Sequence, residues 1–319
     1  HHIVSDGWSM GVLVRELGLL YSAYAAGHSS PLPELALQYA DFTTWQRDRL
    51  QGNRLDELLA YWKKQLGGEL PVLELPVDRP RAATPSFKGA VQSFAISPAL
   101  SKSLESLSKQ EGATMFMTLL AAIQFLLQRY TNHDDIPVGV NIANRTRRDI
   151  EGLIGFFVNN LVLRGDLSGN PTFRELLRRT REVTLGAYAH QELPFEMLVE
   201  ALRSGRRLNT PLFQVMFVMQ NTPAAALDLP GLRLEPFKVI DEQSSFDLTF
   251  FARETEQGIT GWLEYNSELF NATTINRMLE RLQLLLAEIT ANPDQPIENY
   301  STGAEESEQL IGAFNAALE

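Results

Sequence analysis

The amino-acid sequence predicts an α/β fold, an α+β sandwich in which helices cover a sheet, and two observations predict it. From residue 90 onward, segments with the period of a strand take turns with segments that have the period of a helix. Between residues 213 and 266 four strand-like runs then follow one another, enough to build one sheet with helices laid on it. Size adds a constraint. The chain has 319 residues, more than one hydrophobic core ordinarily serves, and 44% hydrophobic with 21% charged residues is a globular composition, so two packed units or a large α/β body are expected.

The elements follow in order. Trp8 to Ala25 sets Met10, Leu13, Val14, Leu17, Leu20 and Tyr21 at spacings that form one apolar helix face, and Gly27 is a stop signal. LALQYADFTTWQRDRLQG reads as a turn segment, and LDELLAYWKKQLGG as the helix after it. LPVLELPVDRPRAATPSF is rich in proline and has no period, which makes it a crossover and the best boundary between two units. AVQSFAI alternates as a strand, Pro98 to Glu111 and Thr114 to Tyr130 are helices, and IPVGVNIAN is a buried strand. GFFVNNLVLRGDL predicts a strand, TFRELLRRTREVTLGAYAHQ a helix, and PFEMLVEAL a short helix with Pro194 in its first turn. FQVMFVMQN, LRLEPFKVI, FDLTFFARE and GITGWLEYN are the four successive strands, and Ala272 to Ala291 is an amphipathic helix. NPDQPIENYSTGAEESEQ is polar and turn-rich, like a linker.

Composition narrows the function classes. Lys plus Arg number 28 against 39 Asp plus Glu, a net charge of −11 that opposes a nucleic-acid partner, because phosphate binding needs clustered cations. The chain has no cysteine, hence no disulfide, no thiol nucleophile and no cysteine-based zinc site. No apolar run approaches the roughly 20 residues that span a bilayer, so no membrane partner is expected and a cytoplasmic setting fits.

The stretch that looks most chemical is the first, HHIVSDG. Neighbouring residues on an extended chain point to opposite sides, so His1 and His2 are poorly placed to share a metal, and no metal site is expected. His2 and Asp6 suit one local cluster better, one supplying an imidazole and the other orienting it or holding the loop. On chemistry alone, a His-His pair at a chain end is more commonly solvent-facing, or the remnant of a tag.

The rest of the chain shifts that balance. HHIVSDGWS resembles the HHxxxDG motif of the condensation domains of nonribosomal peptide synthetases, complete here from His1 to Gly7. Four more segments match that family in its order: YADFTTW (Tyr39 to Trp45), IGFFVNNLVLR (Ile154 to Arg164), HQELPFE (His190 to Glu196) and the more degenerate RRLNTPLFQVMF (Arg206 to Phe217). The resemblance implies the two-lobe fold of the chloramphenicol acetyltransferase-like superfamily. It also implies that the motif lies well inside the domain, so residues 1–66 are expected to end an N-lobe, 67–303 to form a nearly complete C-lobe, and 304–319 to begin a linker to an adenylation domain.

The same resemblance implies the activity, an acyltransferase that joins a donor aminoacyl or peptidyl thioester to an acceptor aminoacyl thioester. No tightly bound cofactor is implied, since phosphopantetheine arms arrive on partner carrier domains, an upstream donor and a downstream acceptor. The surroundings of the motif are more similar to the type that takes an L-configured donor. Two rivals accompany this reading: an epimerization-type relative of the same fold, and a fragment that serves only as a docking or structural module.

Carried over residue by residue, the resemblance puts proton handling or amine positioning on His2 and makes His1 structural. Asp6 is implied to be a structural aspartate, with Arg145 in IANRTRR as its mate. Gly7 is expected to admit a substrate arm or to take a positive φ before the helix. Trp8 and Ser9 complete the local match and are candidates for channel or substrate contact; Ser9 also suits helix capping, solvation, or donation to a developing oxyanion. Asn159 stands among apolar neighbours and needs partners, either beside the channel or on the backbone. Glu192 replaces the family's usual aspartate, and His190 ends a helix as a structural residue. Arg174, Arg178 and Arg181 share one helix face, which suits either an acidic carrier or a solvated face paired with Glu175 and Glu182.

Overall fold

A computed structural model describes residues 1–81, 87–202, 211–220, 229–232 and 243–301. Three helices come first: α1 (Gly7–Ala25), α2 (Tyr39–Arg49) and α3 (Gly52–Leu66). After the crossover come β1 (Gly89–Ile96), α4 (Pro98–Gln110), α5 (Met115–Thr131), β2 (Asp135–Ile142), β3 (Asn159–Asp166), α6 (Phe173–Ala189) and α7 (Phe195–Leu202). The chain ends with β4 (Val215–Met219), β5 (Leu248–Thr255), β6 (Gly258–Asn266) and α8 (Ala272–Ala291), followed by a 3-10 turn at Ile297–Asn299.

The local chemistry explains where these helices begin. Ser97 Oγ accepts the amide of Leu100 while Pro98 opens α4, and the hydroxyls of Thr114 and Thr172 cap α5 and α6 in the same way. α5 is apolar on nearly every side and buried from Leu119 to Leu127, as a central helix must be. It stops at Asn132, whose φ of 55° lies in the left-handed region that asparagine tolerates.

The six strands form one mixed sheet in the order β1-β6-β5-β4-β2-β3. β2, β4 and β5 run parallel to their neighbours in that set, with Val140 opposite Phe217 and Phe217 opposite Phe250. The other pairs are antiparallel. The carboxyl ends of β2, β4 and β5 therefore share one edge of the sheet, and the excursion from Ile142 to Asn159 leaves and re-enters at that edge. One contiguous core joins α4, α5, α6 and α8 to the sheet and includes Leu58, Trp62 and Leu66 of α3. A second, small cluster of Phe42, Ile150, Leu153 and Phe157 ties α2 to the excursion.

Three expectations change. The segment read as a turn contains α2, an 11-residue helix held by a reciprocal cap between Gln38 and Asp41 and by burial of Phe42, not by a broad apolar stripe. β3 starts at Asn159 rather than near Gly155, because the amides of Gly155, Phe157 and Val158 are taken by the side chains of Ser9 and Asp6 instead of a neighbouring strand. The first part of the polar tail packs on the core through Ile297 and Tyr300, whose hydroxyl donates to the Asn292 carbonyl at 2.6 Å. The run LRLEPFKVI lies outside the described residues apart from Leu232. No single described helix is long and apolar enough to cross a membrane.

Candidate functional site

The site is built at the carboxyl edge of the parallel strands, where α1 begins against the 143–158 excursion. Asp6 is the N-cap of α1: its Oδ1 accepts the amide of Ser9 at 2.7 Å. The other carboxylate oxygen accepts the amides of Phe157 at 2.9 Å and Val158 at 3.3 Å. One buried side chain thus joins the start of a helix to a turn some 150 residues away in sequence.

Arg145 completes that join. Its Nη2 lies 3.3 Å from Asp6 Oδ1 and donates to Ser9 Oγ at 2.8 Å, and the two charged side chains are only 1% and 2% exposed. Nη1 donates to the carbonyls of Ile150 at 2.6 Å and Leu153 at 2.8 Å. The guanidinium lies over the Phe157 ring at 4.0 Å and near Trp8 at 5.7 Å, so its flat faces meet rings while its two terminal nitrogens meet oxygens; Nε is buried with no hydrogen-bond partner among the described residues. Burial pushes the Asp6 carboxyl up, but the amides of Ser9 and Phe157, with Arg145 behind them, outweigh it and hold the group below its ordinary range.

Ser9 is fully buried. Its hydroxyl donates to the Gly155 carbonyl at 2.8 Å and accepts the Gly155 amide at 3.1 Å as well as Arg145. That leaves it neither solvated nor capping, the cap being Asp6, and its hydrogen is committed to Gly155 rather than to any oxyanion. Gly7 is the first helical residue and is not among the glycines with positive φ; a Cβ there would meet no atom within 4 Å. Its expected left-handed turn is therefore absent, and the open space around it is what remains of that expectation. Trp8 is half-buried and donates its indole N–H to the Glu151 carbonyl at 2.9 Å.

The two histidines stand outside this buried frame. His1 Nδ1 accepts the amide of Ile3 at 3.1 Å, a bond within the loop. His2 is exposed, with Nδ1 3.1 Å from the Ser5 carbonyl and its ring 5.6 Å from that of Phe156. A carbonyl only accepts, so the contact places the proton on Nδ1 and leaves the Nε2 lone pair free.

Asn159 lies at the same edge but turns inward. Its amide donates to the carbonyls of Gln191 at 3.0 Å and Leu193 at 2.8 Å, while its oxygen accepts the amide of Phe195 at 3.0 Å, so it fixes the turn between α6 and α7. Glu192 in that turn takes Arg54 at 2.9 Å and Arg49 at 3.1 Å, which ties α2 and α3 to it. His190 stacks on Tyr61 with ring centres 3.7 Å apart and its Nδ1 on the Gly186 carbonyl at 2.8 Å, a structural placement. The arginine face of α6 is paired within the chain: Arg174 with Glu111 and Asp294, Arg178 with Glu175 and Glu182, and Arg181 with the Gly112 carbonyl.

Sequence reasoning missed the partners that are backbone: the carbonyls of Ile150, Leu153 and Gly155 carry no signature of their own. It also left Tyr39 without a task, although YADFTTW is one of the matching segments. Tyr39 donates its hydroxyl to the Phe156 carbonyl at 2.7 Å, and burial together with the Asp6 charge pushes that phenol up.

This framed loop can be set beside known proteins. The model of the family described as "Condensation domain" matches residues 1–311. The chain belongs to the condensation-domain family. A component of the linear gramicidin synthase of Brevibacillus parabrevis is 50% identical over 314 residues; the match takes in 98% of this chain and 6% of that protein. Malpinin synthetase of Mortierella alpina is 46% identical over 298 residues, 93% of this chain and 4% of its own length, so the chain spans a small part of these curated relatives. Among solved structures, the X-domain from teicoplanin biosynthesis superposes with a TM-score of 0.85 at 30% identity, over 94% of this chain and 70% of that one. The mixed sheet with its helices is the chloramphenicol acetyltransferase-like fold expected from the motifs. This condensation-domain chain therefore carries a complete HHxxxDG loop whose aspartate is buried against Ser9 of α1 and Arg145 and whose second histidine is exposed.

Proposed function

We propose that the chain is an amide-forming acyltransferase of nonribosomal peptide synthesis, acting on two substrates held as thioesters on phosphopantetheine arms. The amine of the acceptor attacks the thioester carbonyl of the donor, the C–S bond breaks, and the donor arm leaves as a thiol. An α-amine titrates at about 7.7–8.0, so a neutral imidazole has only to take its proton as the C–N bond forms. His2 Nε2 is the acceptor for that proton. Holding both arms beside it supplies most of the remaining acceleration, since proximity alone is worth up to roughly 7–11 kcal/mol.

The observation that carries this reading is the contrast within one motif: Asp6 and Ser9 are buried and bonded, and the His2 ring is exposed with one nitrogen tied and the other free. His1, Asp6, Gly7 and Arg145 support that ring, with Trp8, Ser9 and Asn159 as parts of the frame rather than substrate contacts. Residues 1–66 are proposed as the end of an N-lobe and 67–303 as a C-lobe. In support, α1 adds nothing to either core cluster and keeps Met10, Leu13 and Leu17 exposed. Donor and acceptor carriers and a downstream adenylation domain are the proposed partners, in the cytoplasm.

The test mixes the protein, together with its flanking domains, with a donor and an acceptor carrier loaded with different amino acids, and weighs each arm. A dipeptidyl thioester on the acceptor arm is the expected product. Inversion at Cα of a loaded residue, with no dipeptide, would replace this reading by the epimerization one.

A further inference from the structure

The backbone of residues 155–158 is held at every step by side chains from elsewhere. Ser9 Oγ takes both polar groups of Gly155, and Asp6 takes the amides of Phe157 and Val158. The Phe156 carbonyl between them is held by Tyr39 of α2, whose ring stands edge-on to Phe157 with centres 5.1 Å apart. Phe156 itself points outward, 38% exposed, and its ring is the wall beside His2. Asp6 belongs to the HHxxxDG segment and Ser9 follows it in α1; Tyr39 comes from another helix.

The fit of Tyr39 is tight enough to dictate its neighbour. A Cβ at Gly155 would lie 2.2 Å from a carbon of the Tyr39 ring, closer than any real side chain sits, so glycine at 155 and the aromatic at 39 form one arrangement. A hydroxyl on that ring then fixes the orientation of the peptide plane after Phe156. That plane sets the direction in which the Phe156 ring leaves the turn.

We infer that Tyr39 is a positioning residue: through its bond to the Phe156 carbonyl it sets the aromatic wall that orients the His2 imidazole. The inference rests on His2 as the catalytic group in the proposed function, and it adds a partner outside the motif. Tyr39 touches no substrate in this account and acts only through Phe156.

Two readouts test it on Tyr39→Phe, which keeps the ring and removes the hydroxyl. With loaded carriers, kcat should fall about fivefold while KM stays at wild type, and the melting temperature should drop by no more than a few degrees, in line with loss of one neutral hydrogen bond. In the full chain labelled with 13C at histidine Cε1, the five histidines give few enough signals to assign, and the His2 signal should move because the Phe156 ring current over it changes. Gly155→Ala should move the same signal and lower kcat further. An unmoved His2 signal in Tyr39→Phe overturns the inference, as does an unchanged kcat. Failure of the catalytic reading is told apart by His2→Ala: wild-type turnover there removes the role of His2, whereas the spectroscopic shift still reports whether Tyr39 sets the ring.

Discussion

His2→Ala should slow dipeptide formation by about 10²- to 10⁴-fold, the range for losing a general base, while thermal unfolding stays at wild type. The stability half of that expectation follows from placement. The ring is exposed, meets the Ser5 carbonyl and the flank of Phe156, and contributes to neither core cluster among the described residues. His1→Ala should be milder, because the ring nitrogen of His1 that the structure engages holds a loop amide. Single-turnover mass measurement on loaded carriers reads both variants. If His2→Ala keeps the wild-type rate at unchanged melting, the ring is not the proton acceptor.

Asp6 and Arg145 should show the opposite profile, with large losses of stability. Each single substitution to alanine strands a buried charge, so each should cost about 3–5 kcal/mol. The double substitution removes both charges together and should cost well under the sum of the singles. Acid dependence gives the same pair a second signature. The Asp6 carboxyl is held below its unfolded value of about 3.9, so its contribution is full above that pH and is lost as pH falls through the lower folded value. Asp6→Asn should therefore unfold with a shallower acid slope. Denaturant titrations across pH check both points: additive losses would mean that the two groups are not coupled, and an unchanged acid slope would mean that the frame does not hold the Asp6 carboxyl low.

How much of this was legible in the sequence depends on what kind of partner each residue has. Helix periodicity located α5, α6 and α8 to within a residue or two, because an apolar pattern of 17–20 residues has one good solution. α2 was missed because its buried face is one residue, Phe42, and its stability comes from the small cluster around Phe157. The Asp6–Arg145 join was legible through the family resemblance, which implied a structural aspartate and a basic mate. Its other half, the carbonyls of Ile150, Leu153 and Gly155, was not, since any residue supplies a carbonyl. The start of β3 was misplaced for the same reason: Gly155 to Val158 look like strand, and only the side chains of Ser9 and Asp6 make them a turn.

The central claim is that the fold commits the Asp6 carboxylate, the Ser9 hydroxyl and the terminal nitrogens of Arg145 to the frame and leaves Nε2 of His2 to take a proton. Nitrogen-15 spectra of the histidine-labelled chain, recorded where the imidazole is neutral, test this most directly because they distinguish the two tautomers. The account predicts the Nδ1–H form for His2, with its proton held by the Ser5 carbonyl and an unprotonated Nε2. A His2 signal showing the Nε2–H form would contradict it, since the free lone pair would then face the loop and not the substrates.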